Sequence, residues 1–380
     1  MVHPLDDPRL DGDFLRRFDF DETGIRAAVD RMLAGELTAK SAQVTGRIEP
    51  APEVTDLDFE GEEAVAAAAE GEGALKRGEV AVVVLNGGMA TRFGGVVKGV
   101  VEVFDGQTFI ALKARDVRVQ AERFGRSIPL VLMNSFATEA KTLEHVATND
   151  RFGLAEDDLL HFHQSISVRL TPEGELFIGD DGKPSYHAPG HGDFFRAIRV
   201  CGVLEKLQNR GIKYLLFSNV DNLGATVEPL VIGLHIRSGR AMTAEVTQKQ
   251  RTASGAWDKG GAPALVDGEL QIVEGFRFPA DFAQETLPDF STNNMLFNTD
   301  ALNGDIPLVR HVVTKKVDGR PALQLESIAC EASGVYIDGQ PRLPLHLLRV
   351  PRDGPRGRFF PVKEPVDLDA LRPILKNRLG

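Results

Sequence analysis

The sequence predicts an α/β protein built on a doubly wound, mostly parallel sheet, and three observations lead to that prediction. From Val80 onward, apolar strand-like runs alternate with helical patterns, as in folds whose parallel strands are joined by crossover helices. The first run, at 80–85, is apolar throughout and rich in valine, which is typical of a strand covered on both faces. Glycine-rich and polar segments follow the runs, and such sheets bind ligands there.

Residues 1–78 predict an N-terminal helical segment that precedes a main domain at 79–380. Apolar residues recur at spacings of three and four between Phe14 and Leu33, which favours amphipathic helices. A stretch at 48–59 is rich in proline and acidic residues and predicts a loop. An alanine-rich helix is expected at 64–76.

Four further strands are predicted in the main domain, at 128–134, 159–164, 212–219 and 241–247. One long helix is expected after Asp193, because an apolar stripe continues from there to Gly211.

The segment Pro263–Glu274 predicts an antiparallel hairpin insertion beside the site, since Asp267 and Gly268 suit a type I′ turn. In the tail, a short strand is expected at 359–363 and a helix at Leu368–Leu379.

Composition excludes several classes of protein. The formal net charge of −11 argues against a nucleic-acid partner, which needs a basic face. No apolar run approaches the length of a spanning helix, and the N-terminus shows no secretory pattern, so we expect a cytoplasmic protein without membrane contacts. Cys201 and Cys330 have no metal-ligand spacing and are predicted to be small core residues. The oligomeric state stays open.

The loop after the first strand is the strongest candidate for a phosphate site. Gly87 and Gly88 let the backbone approach a ligand closely, and Lys98 follows as a candidate cation. The spacing matches neither the P-loop nor the dinucleotide fingerprint. A plain tight turn remains the alternative interpretation.

A metal ligand is predicted after the run at 212–219. Asn219, Asp221 and Asn222 lie at the carboxyl end of that run, where one carboxylate suits Mg²⁺ shared with substrate phosphates. The alternative is that Asp221 and Asn222 form a turn or cap a helix.

Three further segments carry candidate binding residues. Glycines flank His191 before a helix, an arrangement that suits a base edge or a phosphate and that equally suits a plain loop. Adjacent amides at Asn293 and Asn294 predict that at most one faces a ligand, because neighbouring strand residues point to opposite faces. Lys363 ends an aromatic run and is either a solvated surface charge or a group that neutralises a phosphoryl group.

Taken in order, these motifs resemble the UDP-sugar pyrophosphorylases, most closely the eukaryotic UTP–glucose-1-phosphate uridylyltransferases. The resemblance extends over about 280 residues, and each motif alone would be weak. The motifs are LNGG at 85–88, LMNSF at 132–136, HQS at 163–165, PGHGD at 189–193, SNVDNLGATV at 218–227, EVTQK at 245–249, TNN at 292–294, QLE at 324–326 and FFPVK at 359–363.

This resemblance implies a nucleotidyltransferase fold of the GT-A-like type, with a Rossmann-like, doubly wound mixed sheet. It implies that residues 79–380 form the catalytic domain and that sugar 1-phosphate attacks the α-phosphorus of UTP, giving UDP-sugar and pyrophosphate with Mg²⁺ as cofactor. The substrates UTP and sugar 1-phosphate are then the expected partners.

The resemblance also implies a role for each matching residue. The implied nucleotide-binding residues are Leu85, Gly87, Gly88, Met133, Gln164 and Gly190. The implied sugar-phosphate residues are His191, Asn219, Glu245, Asn293 and Glu326. Asp221 is the implied Mg²⁺ ligand, and Lys98 and Lys363 are the implied catalytic cations.

Three features depart from the glucose-type pattern. Ala90 stands where the family's loop commonly has glycine, and TRFGGVVKG at 91–99 is more similar to the loop of UDP-N-acetylglucosamine pyrophosphorylases. The short tail after Lys363 predicts no C-terminal β-helix. The sugar is therefore glucose, N-acetylglucosamine or galactose. The rival of another class is an inactive nucleotide-sugar-binding regulator, which would be expected to lose the charged residues retained here.

Overall fold

The computed structural model describes residues 3–90, 95–251, 257–258 and 260–379. Its α-helices are α1 (Gly12–Arg17), α2 (Glu22–Leu33), α3 (Gly61–Arg77), α4 (Phe109–Phe124), α5 (Glu139–Thr148), α6 (Phe194–Val200), α7 (Val203–Asn209), α8 (Pro229–Ser238) and α9 (Pro365–Leu379). Its strands are β1 (Ile48–Pro50), β2 (Thr55–Asp56), β3 (Val80–Leu85), β4 (Met89–Ala90), β5 (Val96–Val97), β6 (Glu102–Phe104), β7 (Gln107–Thr108), β8 (Leu130–Asn134), β9 (Leu159–His163), β10 (Ser167–Val168), β11 (Tyr186–His187), β12 (Tyr214–Asn219), β13 (Met242–Gln248), β14 (Ala262–Val266), β15 (Glu269–Val273), β16 (Asp289–Asn298), β17 (His311–Val317), β18 (Arg320–Glu326), β19 (Tyr336–Ile337), β20 (Gln340–Pro341) and β21 (Leu345–Arg349).

An eight-stranded mixed sheet forms the centre of the molecule. Its strand order is β2-β21-β13-β16-β12-β3-β8-β9. Strand β16 runs antiparallel to β12 and β13, whereas the other neighbouring strands pair in parallel. The predicted α/β class and mostly parallel sheet are confirmed, with one antiparallel strand inserted among the parallel ones.

Both faces of this sheet are covered, as its apolar strands require. Alternate residues of β3 enter different cores, because strand side chains alternate between faces. Val82 and Val84 pack in a core with α3, α4, α8 and α9. Ala81 and Val83 pack in a second core with α6 and α7. The sheet is thus doubly wound, with β3 near its middle and fully buried.

Three predicted elements differ from the structure. The stretch at 48–59, predicted to be a loop, contains the short strands β1 and β2, each paired with another strand. The single helix expected after Asp193 is two helices, α6 and α7, because Gly202 between them has φ 77°, a left-handed conformation that interrupts the helix. The strand expected at 359–363 is absent, and this extended segment has no strand partner. Cys201, which lies in the break, is exposed rather than a core residue, whereas Cys330 is buried as predicted.

The predicted hairpin is confirmed. Strands β14 and β15 pair antiparallel, and Asp267 and Gly268 between them have φ 51° and 87°, as a type I′ turn requires. Strand β1 adds a third strand to this small sheet. The final helix begins at Pro365, three residues before its predicted start.

The N-terminal residues are in close contact with the rest of the molecule. Helix α3 contributes Ala67 and Leu75 to the core that contains β3, and β2 pairs with β21 at the edge of the main sheet. The boundary at residue 78 stays a prediction. Among the described residues, the helices lack the length and apolar character that a membrane-spanning helix needs.

Candidate functional site

A cavity of about 560 Å³ opens at the carboxyl ends of β3 and β12. This is the edge of an open α/β sheet where ligands bind. Most of the predicted site residues line it, together with Met89, Ala188 and Val220; they are Leu85, Gly87, Gly88, Lys98, Gln164, Gly190, His191, Asn219, Asp221, Glu326 and Lys363. The fold thus brings together residues that lie far apart in the sequence.

The glycine-rich loop is fixed from its buried side. The Oγ of Ser135 donates a hydrogen bond of 2.8 Å to the carbonyl of Gly87. The Nδ2 of Asn86 donates to the Oδ1 of Asn134 over 2.8 Å. A Cβ at Gly87 would overlap the side-chain amide of Gln164, so glycine here lets that amide lie close against the loop. The continuation of the loop at 91–94, including part of its TRFGGVVKG sequence, lies outside the described residues.

Gln164 presents an unpaired acceptor in the cavity wall. Its side chain is 6% exposed, and its Oε1 has no hydrogen-bond partner among the described residues. Its backbone N–H donates to the carbonyl of Asn134 over 2.9 Å, which fixes the residue's position. Buried polar atoms are nearly always paired. The Oε1 of Gln164 is therefore suited to accept from a ligand donor such as a base edge.

Lys98 and Asp221 form an ion pair inside the cavity. The Nζ of Lys98 lies 2.6 Å from the Oδ2 of Asp221, and the two side chains are 19% and 14% exposed. Lys98 starts a short 3-10 helix at Lys98–Val100, and Asp221 follows the end of β12. A cation and an anion therefore meet at the cavity wall.

The donor set around Asp221 fits one kind of metal site. Among the described residues, no group of three or more His, Cys, Asp or Glu side chains could hold an ion. A metal enclosed by protein ligands is thus unsupported there. Mg²⁺ needs only one or two carboxylates when substrate phosphates supply further oxygens, and Asp221 satisfies that requirement.

His191 is held as a neutral hydrogen-bond donor. Its Nδ1 accepts from the N–H of Ala329 over 3.1 Å, so the proton lies on Nε2. Burial lowers the pKa of His191 to about 4. The preceding Gly190 has φ 88°, and a Cβ there would overlap the backbone of Ser327. Glycine at this position allows the loop to bring His191 to the cavity.

Asn293 supports the cavity wall through Asn219. Its Nδ2 donates to the Oδ1 of Asn219 over 3.0 Å, although Asn293 itself does not line the cavity. The pairing of β13 and β16 shifts register between Glu245 and Val246, and Asn293 has φ 59°. This bulge turns Asn293 toward Asn219, while Asn294 faces the buried side and donates to Glu245.

Besides Asn293, two further predicted site residues do not line the cavity. Met133 belongs to β8, and its side chain is fully buried in the core that contains α6 and α7. Glu245 is 1% exposed and pairs with the guanidinium of Arg358, whose Nη2 and Nε lie 2.6 and 3.0 Å from its Oε1. In this structure Glu245 neutralises a buried arginine and does not face the cavity.

Glu326 and Lys363 also line the cavity. Glu326 ends β18, and the Nζ of Lys315 lies 3.6 Å from its Oε1. Lys363 is exposed, and its backbone N–H donates to the Oδ2 of Asp367 over 2.8 Å. Its charge interacts with the carboxylate of Asp258, which is itself paired with Arg352. Lys363 therefore offers the cavity an exposed cation.

Comparison with known proteins identifies the family of this chain. The model of the UTP–glucose-1-phosphate uridylyltransferase family matches residues 29–373. The chain belongs to this family. The uridylyltransferase of Saccharomyces cerevisiae is 33% identical over 76% of the chain, as is that of Solanum tuberosum. The chain spans 58% and 60% of the length of these two relatives.

Solved structures agree with this family and its nucleotidyltransferase-like fold. A mutant UDP-glucose pyrophosphorylase of Leishmania major, solved with UDP-glucose, is 25% identical with a TM-score of 0.72, covering 95% of this chain and 77% of that one. A putative UDP-N-acetylglucosamine pyrophosphorylase of Entamoeba histolytica is 17% identical with a TM-score of 0.71, covering 86% of each chain. The second likeness shows the shared fold.

Sequence reasoning missed a buried polar layer beneath the cavity of this uridylyltransferase-family chain. Lys113 is fully buried on α4, and its Nζ donates to the carbonyls of Asn222 and Ala225, each over 2.8 Å. Burial lowers the pKa of Lys113 to about 8. Its position between the apolar residues of α4 was the available signal. Arg358 precedes the FFPVK motif, but nothing in the sequence pairs it with Glu245.

Proposed function

We propose that this protein is an enzyme that transfers a uridylyl group from UTP to glucose 1-phosphate, producing UDP-glucose and pyrophosphate. The observation that carries the proposal is the cavity itself, where the glycine loop, the unpaired acceptor of Gln164 and the Lys98–Asp221 pair meet. The glycine loop suits a phosphate, the Gln164 acceptor suits the edge of a base, and Asp221 suits a cation bound to phosphate. Family membership supports the same reaction.

Uridylyl transfer needs no covalent intermediate with the protein. A phosphate oxygen of the sugar is already an anion, so it forms a bond to the α-phosphorus without a general base. The bond from that phosphorus to the bridging oxygen breaks, and pyrophosphate leaves with the electron pair. Catalysis then consists of in-line positioning and neutralisation of charge. His191 is neutral and its Nδ1 already accepts a hydrogen bond, so the proposal gives it no role as a general base.

Each charged side chain has a task in this proposal. In this proposal Lys98 binds the UTP phosphates near the glycine loop, and Lys363, which also lines the cavity, acts on the reacting phosphoryl group. The Nε2–H of His191 and the amide of Asn219 are placed to donate to the sugar phosphate. When bound, Mg²⁺ would be held by Asp221 and would neutralise phosphate charge. Asp221 would exchange its ion pair with Lys98 for this role.

We propose glucose as the sugar. The relatives from Saccharomyces cerevisiae and Solanum tuberosum, each 33% identical, are named as glucose-1-phosphate uridylyltransferases. The fold is shared by enzymes of both sugar types: a UDP-glucose pyrophosphorylase and a UDP-N-acetylglucosamine pyrophosphorylase match with TM-scores of 0.72 and 0.71. Specificity for the sugar depends on the contacts that the pocket makes with it. In this proposal the carboxylate of Glu326 accepts hydrogen bonds from the sugar hydroxyls.

The test is pyrophosphate release by purified protein. UTP and Mg²⁺ are combined separately with glucose, galactose and N-acetylglucosamine 1-phosphates, and ATP, GTP and dTTP serve as nucleotide controls. We expect release with UTP and glucose 1-phosphate. Preference for another sugar would retain the transfer and replace the substrate. Protein that binds UTP or UDP-glucose yet stays silent with the whole panel would contradict the enzyme and support the regulator.

A further inference from the structure

The side-chain amide of Asn222 is saturated with hydrogen bonds. Its Oδ1 accepts from the N–H groups of Phe360 over 2.8 Å and Gly224 over 3.2 Å. Its Nδ2 donates to the carbonyl of Arg358 and the Oδ1 of Asn294, each over 3.1 Å. The residue is 1% exposed. An amide offers two donors and two acceptor lone pairs, so the orientation of Asn222 is fully determined.

These bonds connect the loop that carries Asp221 with the segment that leads to Lys363. Asn222 directly follows Asp221, and the segment it binds, 358–360, leads to Lys363 three residues later. That segment belongs to no strand, so no sheet ladder fixes it. The carbonyl of Arg358 and the N–H of Phe360 both pair with Asn222 instead. The N–H of Arg358 donates to the carbonyl of Pro351 over 2.8 Å, and Asn222 is the side chain that pairs with both a carbonyl and an N–H of this segment.

The contact is tight and supported from below. A Cβ at Gly224 would overlap the backbone of Arg358, which shows how closely the two segments approach. The guanidinium of Arg358 is held by Glu245, and the carbonyl of Asn222 accepts from Lys113. Both partners are buried. The position of the segment is therefore fixed relative to the loop that carries Asp221.

We infer that Asn222 is a positioning residue that sets the location of Lys363 relative to Asp221. The inference rests on the proposed function, because it assigns a purpose to Lys363 in uridylyl transfer. A charge that acts on a transition state must be held within about 0.5 Å of its productive position. Misplacement by about 1 Å costs on the order of 100-fold in rate. Asn222 supplies that restraint without touching the substrate.

Asn222→Asp tests this inference because it keeps the size and both acceptors while removing the two donors. We expect kcat for pyrophosphate release to fall about 30-fold to 100-fold, with the Kd for UTP changed less than about 3-fold. Asn298→Asp is the matched control, since Asn298 is at the far end of β16 and bonds to His235 and the Arg240 carbonyl. Full activity of Asn222→Asp would overturn the inference.

A double-mutant cycle with Lys363→Ala separates positioning from a direct charge effect. If Asn222 acts through Lys363, Asn222→Asp costs less than about 3-fold once Lys363 is absent. The same loss in both backgrounds would show that Asn222 acts on the cavity independently and would refute the inference.

Amide hydrogen exchange provides a readout that does not depend on turnover. We expect Asn222→Asp to raise exchange over residues 358–363 by about 10-fold or more, whereas Asn298→Asp leaves it unchanged. Unchanged exchange in both variants would overturn the inference. A wild-type protein that releases no pyrophosphate with any substrate pair would instead overturn the proposed function, and the exchange experiment would still decide the role of Asn222.

Discussion

The two cavity lysines differ in their surroundings, and this difference predicts different roles. Lys98 is paired with Asp221, whereas Lys363 is exposed at the cavity, and the carboxylate whose charge it feels, Asp258, is already paired with Arg352. An exposed cation of this kind can interact with charge that develops on the reacting phosphoryl group. Such an interaction is strongest in the transition state, so its loss affects turnover more than binding.

We therefore expect Lys363→Ala to lower kcat about 100-fold or more and to change the Kd for UTP by less than about 3-fold. Steady-state pyrophosphate release and calorimetric UTP binding measure the two effects. Lys316→Ala, which removes an exposed lysine on β17, is the control and should match wild type. Equal losses of turnover and binding would assign Lys363 to ground-state binding.

Asp221 is predicted to link activity to the metal. Asp221→Asn keeps the shape but removes the charge, so Lys98 loses its ion-pair partner and Mg²⁺ loses its carboxylate ligand. We expect the Mg²⁺-dependent activity to be abolished at millimolar Mg²⁺. Asp157→Asn breaks a surface Asp–Lys pair with Lys206 and should leave the Mg²⁺ titration unchanged. An active Asp221→Asn enzyme with the wild-type Mg²⁺ dependence would rule out the assignment.

Among the secondary-structure elements, the crossing of α3 and α8 depends on two glycines. A Cβ at Gly71 would overlap the carbonyl of Pro229, and a Cβ at Gly233 would overlap that of Ala67. The helices therefore pack backbone against backbone. Gly73 is two residues further along α3. A Cβ at Gly73 would meet only the flexible end of the Arg77 side chain. The same substitution at these two positions of one helix should have opposite effects.

Gly71→Ala is expected to lower the free energy of unfolding by about 1 to 3 kcal/mol, because the helices must separate. Gly73→Ala is expected to raise it by about 0.5 to 1 kcal/mol, because alanine has the higher helix propensity. Urea denaturation measures both values. If Gly71→Ala were as stable as Gly73→Ala, the close crossing would be refuted.

The sequence predicted elements well where the pattern was local. The valine run at 80–85 predicts a buried strand and Asp267–Gly268 predicts a hairpin turn, and both predictions are confirmed. The break at Gly202 was missed because one glycine in an apolar stripe is compatible with a continuous helix. The segment at 359–363 reads as a strand by residue type, but its partner is the side chain of Asn222. Pairing of that kind has no period to detect.

For the site, strand ends predicted which residues meet, but not what each one touches. The cavity is lined by Gln164 and Asp221, which follow β9 and β12, because a parallel sheet gathers its carboxyl ends at one edge. His191 reaches the cavity from the loop before α6. Glu245 belongs to the motif EVTQK, which implied a sugar-phosphate ligand, but in the structure it pairs with Arg358. Such a buried partner lies more than a hundred residues away in sequence, so it can be found only from the folded structure.

On the scale of the whole molecule, buried histidines predict how stability changes with pH. Burial lowers the pKa values of His187, His191 and His235 to about 4, while an unfolded histidine has a pKa near 6.5. Between these values the unfolded chain binds more protons than the folded chain, so stability falls as pH falls from about 6.5 toward 4. Asp116, whose pKa burial raises to about 6, contributes with the opposite sign.

His235 isolates one such contribution, because it lies away from the cavity. Its Nε2–H donates to the Oδ1 of Asn298 over 2.9 Å, and its Nδ1 accepts from Thr243 over 2.7 Å. A second proton would have to enter this buried and satisfied site. His235→Gln should therefore reduce the loss of unfolding free energy between pH 7 and pH 5 by about 2 kcal/mol. Urea denaturation at the two pH values measures the difference, with the exposed His161→Gln as control. If His235→Gln showed the full wild-type loss, the acid sensitivity of this fold would have to come from other groups, and a neutral His235 would not contribute to it.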